Sequence, residues 1–255
     1  GTRTGRFSYS DPNLQNMPSE ETSSAEYVIR GCFIPRPGNV FVSIDYMAQE
    51  YRIMADYAGE QDIIKAVMAG KDFHQVTADM FGVTRKQAKT VNFLTLYGGG
   101  PQKLADTLGI ALAEATRLRT KYFSALPKVE KLIDDVIATG RGRGYVYNWL
   151  GRKLYAEKEH CYALPNHLIQ SSGADTMKLA MIEISSFISG KEIEMVLSVH
   201  DELVFEMPEG LLSTVKQIQE IMETVYQSRN GMQLKTSASF SRVSLAKRDM
   251  VDLHV

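Results

Sequence analysis

Apolar and polar positions alternate in a way that divides the chain into short strands and longer helical stretches. Val40-Phe41-Val42-Ser43-Ile44 is a β-branched, apolar run, which predicts a short buried strand with Asp45 at its end. From Ala48 to about Met80 the apolar positions recur at helical spacing, with Gly59 and Gly70 as the expected breaks. Thr84-Arg85-Lys86-Gln87 has the form of a capping box, so a helix is expected over 84–97, stopped by Gly98-Gly99-Gly100-Pro101. Two more helices are expected at about 102–124 and 128–138, the second ended by Gly140, Gly142 and Gly144. Tyr145–Asn148 and Arg152–Tyr155 read as paired short strands around Gly151, and a long helix follows over about 165–188. Val196–Val199 and Leu203–Phe205 flank a tight bend carrying Asp201 and Glu202, a hairpin pattern. A helix at about 209–228 and a strand near 234–240 complete the pattern, while the first 38 residues, with Pro12, Pro18, Pro35 and Pro37-Gly38, are turn-rich. Strands scattered among helices, without regular alternation, predict an α+β fold.

Composition narrows this picture only a little. With 255 residues, 44% of them hydrophobic, there is ample material for a core. Twelve Tyr, ten Phe and 23% charged residues exclude a disordered or low-complexity chain. Lys and Arg number 29 against 30 Asp and Glu, so there is no basic excess to announce a nucleic-acid partner. No apolar run approaches the roughly 20 residues of a membrane-spanning helix, and no membrane partner is expected. The opening Gly1-Thr2-Arg3-Thr4-Gly5-Arg6 has no apolar leader segment. Cys32 and Cys161 are too few for a disulfide scaffold and fit a reducing compartment. A first residue other than Met, followed at once by motif-like residues, reads as a fragment or a processed product.

Two groups of residues carry candidate chemistry. Carboxylates at strand ends and hairpin tips are placed to hold hard divalent cations, and Asp45 and Asp201 could share a pair of them if their strands are neighbours. Singly, Asp45 could merely cap the following helix and Asp201 could be ordinary turn chemistry. Arg85, Lys89, Phe93 and Tyr97 recur every fourth residue and spiral along one broad helix face. Two cations in the first turns, near the positive end of the helix dipole, suit a polyphosphate, with aromatic surface beyond for a sugar or base. A solvated basic start followed by core-facing aromatics would give the same spacing.

Together these residues resemble the DNA polymerase I family (family A). Asp45-Tyr46-Met47-Ala48-Gln49-Glu50-Tyr51-Arg52 is similar to its motif A, of the form D-Y-x-x-x-E-x-R. Arg85-x3-Lys89-x3-Phe93-x3-Tyr97-Gly98 is similar to motif B, and Val199-His200-Asp201-Glu202 to motif C. Thr4-Gly5-Arg6, Pro12 to Asn16, Asp72-x-His74, Gly151-Arg152, Asn166-x3-Gln170 and Gly173-Ala174-Asp175 stand around them in the family's order, from Thr2 to Glu206. Departures are Met47-Ala48-Gln49 where Ser-Gln-Ile is common, Leu94 where Gly is frequent, and Tyr162 where Arg is often found.

The resemblance implies an antiparallel palm sheet with packed helices, built from 1–57 and 146–255, and a mainly helical fingers subdomain over 58–145. It implies a C-terminal piece whose thumb and exonuclease regions lie upstream. Asp45 and Asp201 would hold two Mg²⁺ ions together with the Tyr46 carbonyl, Glu202 being a secondary acid. Arg85, Lys89 and His74 would contact the triphosphate, Lys89 also protonating the departing pyrophosphate. Phe93 and Tyr97 would flank the nucleotide pocket. Glu50 would bond Tyr97 and fill the room a ribose 2′-OH needs. Arg6, Asn166, Gln170 and His200 would meet the primer-terminal or nascent pair in the minor groove. The implied partners are primer-template DNA, dNTPs and upstream regions or accessory proteins. The implied setting is the cytoplasm of a bacterium or a virus's host, or an organelle matrix, without secretion. Two alternatives stay open: a single-subunit RNA polymerase or reverse transcriptase, and a non-catalytic DNA-binding remnant. An RNA polymerase would be expected to carry a small residue in place of Glu50, and intact Asp45 and Asp201 stand against a remnant.

Overall fold

The computed structural model describes residues 2–17 and 29–254, so the expected turn at Pro18 lies outside the described residues. In chain order the elements are β1 (Asn39–Tyr46), α1 (Gln49–Ala58), α2 (Gln61–Met68), α3 (Phe73–Phe81), α4 (Arg85–Leu96), α5 (Pro101–Leu108), α6 (Leu112–Ala125) and α7 (Pro127–Arg143). Then come β2 (Tyr145–Tyr147), β3 (Lys153–Tyr155), α8 (Leu164–Ile188), β4 (Glu194–Val199), β5 (Glu202–Pro208), α9 (Val215–Thr224), β6 (Thr236–Ser241) and β7 (Val251–Asp252). The fold is α+β, as the pattern predicts. The chain divides into two compact units, the first from the described residues of Gly1–Gln49, Ala174–Tyr226 and Leu234–Val255, the second from Glu50–Gly173 and Gln227–Gln233.

The first unit is built on a five-stranded antiparallel sheet in the order β4-β5-β1-β6-β7. Strand alternation gives it one apolar face. Val40, Val42 and Ile44 stand opposite Met207, Phe205 and Leu203 in register, and all six are buried. Each such side chain contributes about 1.5–3 kcal/mol of transfer free energy. Helix α9 turns Val215, Ile218 and Met222 inward at helical spacing, and the buried Tyr46 hydroxyl donates to the Met222 carbonyl at 2.6 Å. The other face of β1 carries Phe41, Ser43 and Asp45, and Ser43 and Asp45 leave that face partly open to solvent.

The second unit is mostly helical. The capping box at Thr84 and Gln87 opens α4 as expected, and Asp72 caps α3 by accepting from the Gln75 N–H at 2.8 Å. Buried Glu60 accepts from the Lys128 and Val129 N–H groups at 2.7 and 3.2 Å, placing a carboxylate on the positive end of α7. The ribbon of β2 and β3 turns Val146 and Leu154 into a cluster with Val136, Cys161, Leu164 and Leu168.

Several boundaries differ from the sequence pattern. The stretch expected as one helix over 102–124 is two, because Gly109 takes a left-handed φ of 66° and ends α5. Helix α7 runs through Gly140 and Gly142 and stops only at Gly144, φ 83°. A Cβ on Gly140 would lie 2.2 Å from Leu164 Cδ1 and 3.3 Å from Cys161 Sγ, so this glycine permits close packing and does not break the helix. The 209–228 stretch begins as a 3-10 helix at Glu209–Thr214 and becomes α-helical only in α9. Strand β7 carries no sequence signal at two residues. Among the described residues no helix is long and apolar enough to cross a membrane.

Candidate active site

Asp45 stands inside β1, one residue from its end, paired with Glu202 on one side and Ser237 on the other. Val199 pairs with Glu202, so the bend of the later hairpin is His200-Asp201, one residue earlier than the pattern suggested. His200 takes a φ of 55° and Ala48, just past Asp45, a φ of 53°. Left-handed backbone costs a residue with a Cβ about 1–2 kcal/mol. Such outliers gather where the surrounding structure must aim a side chain. The Tyr46 N–H donates to the Asp201 carbonyl at 3.2 Å and ties the bend to β1.

The two acids are near enough for the charge of one to act on the other. Burial pushes the Asp45 carboxyl up to about 7, with the charges of Asp201 and Glu202 adding to the shift and the Tyr46 N–H and Arg30 opposing it. Asp201 is raised too, chiefly by burial, against the pull of its own backbone N–H, His200 and Arg6. Asp45 keeps one exposed side, on the wall of an open cavity of about 310 Å³ that also holds Arg30, Glu202, Ser239 and Lys247. Solvent reaches the carboxylate, but the surrounding atoms leave too little of it to make charge comfortable.

Glu202 is already committed. Arg30 Nη2 donates to Oε2 at 2.8 Å and Nη1 to Oε1 at 3.3 Å, and Ser43 Oγ donates to Oε1 at 2.6 Å. Arg30 and Ser43 were not singled out in the sequence, and Arg30 lies 172 positions from its partner, beyond any local pattern. Among the described residues no group of three or more His, Cys, Asp or Glu could hold a metal ion. Asp45, Asp201 and a backbone carbonyl are an all-oxygen donor set, mutually repelling when charged, which fits Mg²⁺, an ion that keeps waters and takes substrate oxygens for its remaining positions.

In the second unit, α4 buries Ala88, Val91, Asn92 and Leu94 and turns Arg85, Lys89, Phe93 and Tyr97 outward. The Phe93 and Tyr97 rings stack with centroids 4.3 Å apart, and the Tyr97 hydroxyl donates to Glu50 Oε2 at 3.3 Å. Arg85 is held by Asp72 through Nε–Oδ1 at 2.9 Å and Nη2–Oδ2 at 3.0 Å, which keeps the Asp72 carboxyl below its ordinary value. Lys89 is exposed and without a carboxylate partner among the described residues. His74 is buried, its Nδ1 3.0 Å from Asn92 Nδ2, its ring edge-on to Tyr51 at 4.7 Å. Burial, with Arg85 and Lys89, holds His74 below its usual range against the pull of Asp72. Asn92 and Tyr51, which set the His74 ring, were not predicted as site residues; both lie in the quoted motifs.

The four expected minor-groove residues divide between the units. Arg6 and His200 border a narrow recess with Gln15 and Met177 in the first. Asn166 and Gln170 are half-buried one turn apart on α8 in the second. Asn166 Nδ2 is buried without a hydrogen-bond partner among the described residues, a donor available to a ligand.

The chain is similar to known DNA polymerases in sequence and in fold. The chain is 36% identical over 206 residues to the DNA polymerase of Mycobacterium phage L5, covering 81% of this chain and 33% of the relative. It is 36% identical over 248 residues to the thermostable DNA polymerase I of Thermus aquaticus, covering 88% and 29%. It thus spans about a third of the length of the curated relatives it matches. The polymerase domain of Pol1 from M. smegmatis, solved with DNA primer-template and dNTP, superimposes with a TM-score of 0.88 at 31% identity, over 97% of this chain and 47% of that one. The model of DNA polymerase family A matches residues 1–243, and this chain belongs to that family.

Proposed function

We propose that this chain is the nucleotidyl-transfer portion of a DNA-directed DNA polymerase, extending a primer 3′ end with deoxynucleotides on a template strand. The observation that carries the reading is the pairing of β1 with β5, which sets Asp45 beside the His200-Asp201 bend, where burial and the neighbouring acids raise its carboxyl. Segments 1–57 and 146–255 are read as palm, 58–145 as fingers, in a chain whose thumb and exonuclease regions belong upstream.

Asp45, Asp201 and the Tyr46 carbonyl would hold two Mg²⁺ ions, which when bound neutralise charge on the attacking and leaving oxygens. The chain's own groups do the rest. Lys89 presents an exposed ammonium, without a carboxylate partner among the described residues, near the positive end of α4, where a triphosphate is favoured, and would give a proton to the departing pyrophosphate. Arg85, anchored to Asp72, offers its remaining N–H edge, and His74, whose Nδ1 accepts from the Asn92 amide, offers its Nε2–H as a donor. Phe93 and Tyr97 give the base and sugar a stacked aromatic wall. Glu50, fixed by the Tyr97 hydroxyl, occupies the room a 2′-OH requires, which favours dNTPs over rNTPs and deoxynucleotide synthesis over an RNA polymerase. Arg6, His200, Asn166 and Gln170 supply minor-groove contacts, where acceptors on all pairs lie alike and pairing geometry is read without sequence. Glu202, neutralised by Arg30, steadies the site from behind.

Primer extension with dNTPs and with rNTPs, on DNA and RNA templates, tests the reading. Mg²⁺-dependent extension with dNTPs on DNA supports it. Extension that prefers rNTPs overturns it.

A further inference from the structure

We infer that the outer face of the ribbon formed by β2 and β3 is a stacking platform for single-stranded nucleic acid, a binding surface separate from the residues assigned to nucleotidyl transfer. The ribbon lies wholly within the second unit. Alternation sorts its six residues cleanly: Val146 and Leu154 point into the core, while Tyr145, Tyr147, Lys153 and Tyr155 share the opposite face. Tyr145 faces Tyr155 and Tyr147 faces Lys153 across the strands. Tyr147 is 42% exposed and Tyr155 66%. An outward ribbon face is ordinarily polar, and Tyr147 and Tyr155, beside the part-buried Tyr145, bury too little of themselves to be explained by the core.

Cations interleave these rings. The Arg143 guanidinium lies 4.8 Å from the Tyr145 centroid and 5.5 Å from that of Tyr147, with Nε anchored to the Tyr145 carbonyl at 2.8 Å. The Lys153 ammonium lies 4.9 and 5.7 Å from the same two rings. Among the described residues neither cation is paired with a carboxylate, so both charges remain available to a ligand. Aromatic faces spaced along a ribbon with unneutralised cations between them suit a strand whose bases stack and whose phosphates need countercharge. A duplex offers phosphates and no unstacked bases, so the platform selects single strands.

The chain's single tryptophan, Trp149, sits in the turn that joins the two strands and donates through Nε1 to the Ser172 carbonyl at 3.3 Å. Its fluorescence reports on the ribbon directly. Titrating the full chain with an oligothymidylate, without nucleotides or metal, is expected to change that signal, and ultraviolet crosslinking followed by peptide mapping is expected to place adducts within 143–155. Tyr147→Ala with Tyr155→Ala should weaken binding roughly tenfold or more, the scale of lost base–aromatic stacking. Tyr147→Phe with Tyr155→Phe should retain it. Both pairs of changes sit on the solvent face, and an unchanged melting temperature checks that the fold is intact. Unaltered affinity in the alanine variant, adducts mapped elsewhere, or equal competition by blunt duplex would each overturn the platform, including the case in which the ribbon seats another protein segment. Extension activity is not read in any arm, so loss of the platform and loss of the polymerase assignment give distinguishable results.

Discussion

Tyr97, at the end of α4, donates its hydroxyl to Glu50, in the first turn of α1, across 47 positions of sequence at 3.3 Å. One bond thereby fixes both the carboxylate proposed to exclude a ribose hydroxyl and the ring proposed to stack on the incoming base. Glu50→Ala should raise rNTP incorporation relative to dNTP by on the order of a hundredfold, measured as the ratio of single-turnover kcat/KM values. Glu50→Gln keeps the acceptor and should lie between wild type and alanine. An unchanged ratio in the alanine variant rejects the exclusion role.

Asp45→Ala and Asp201→Ala should each lower Mg²⁺-dependent extension by roughly a thousandfold or more, the scale of electrostatic stabilisers in phosphoryl transfer. Primer-template affinity, followed by anisotropy, should persist. Near-normal extension by either variant removes the metal assignment.

Metal-free stability should depend on pH in a definite direction. The Asp45 carboxyl is raised from 3.8 to about 7 in the folded chain, so across that window the folded state keeps a proton the unfolded chain has released. Stability therefore falls as pH rises through the window and levels off above it. Asp45→Asn, in EDTA, should melt higher than wild type at pH 8, with the advantage vanishing toward pH 4. A constant difference across the whole range would show that the charge of Asp45 is not what burial opposes.

Gly140→Ala should destabilise the second unit by about 1–3 kcal/mol in denaturant titrations, because the new Cβ would overlap the fully buried Leu164 side chain. Alanine's helix propensity favours the substitution by about 1 kcal/mol and does not offset such a clash. A gain in stability would mean that Leu164 has room to turn aside.

Much of this molecule could be read from local pattern. The β-branched run became β1, the capping box became the start of α4, and the two glycine-flanked stretches around Gly151 became β2 and β3. What escaped was non-local or sterically paradoxical. Gly140 looks like a stop in isolation and is a contact surface once Leu164 and Cys161 are packed against it. Gly109, amid residues of good helix propensity, gave less warning than the triplet after Tyr97. The partners of Glu202 lie 172 and 159 positions away, where no periodicity reaches. The Glu50–Tyr97 bond was anticipated through family resemblance.

Strand β1 is the middle strand of its sheet, hydrogen-bonded along both edges to β5 and β6, each of which is itself paired on its far side. Asp45 rides on that central strand, whereas Asp201 rides on a two-residue loop bent through an unfavourable backbone conformation at His200. Whatever adjustment in spacing the pair requires as a ligand comes and goes must fall almost wholly to the loop. Substitutions that relax His200, such as glycine, would then loosen the grip of the whole site while leaving every one of its acids in place.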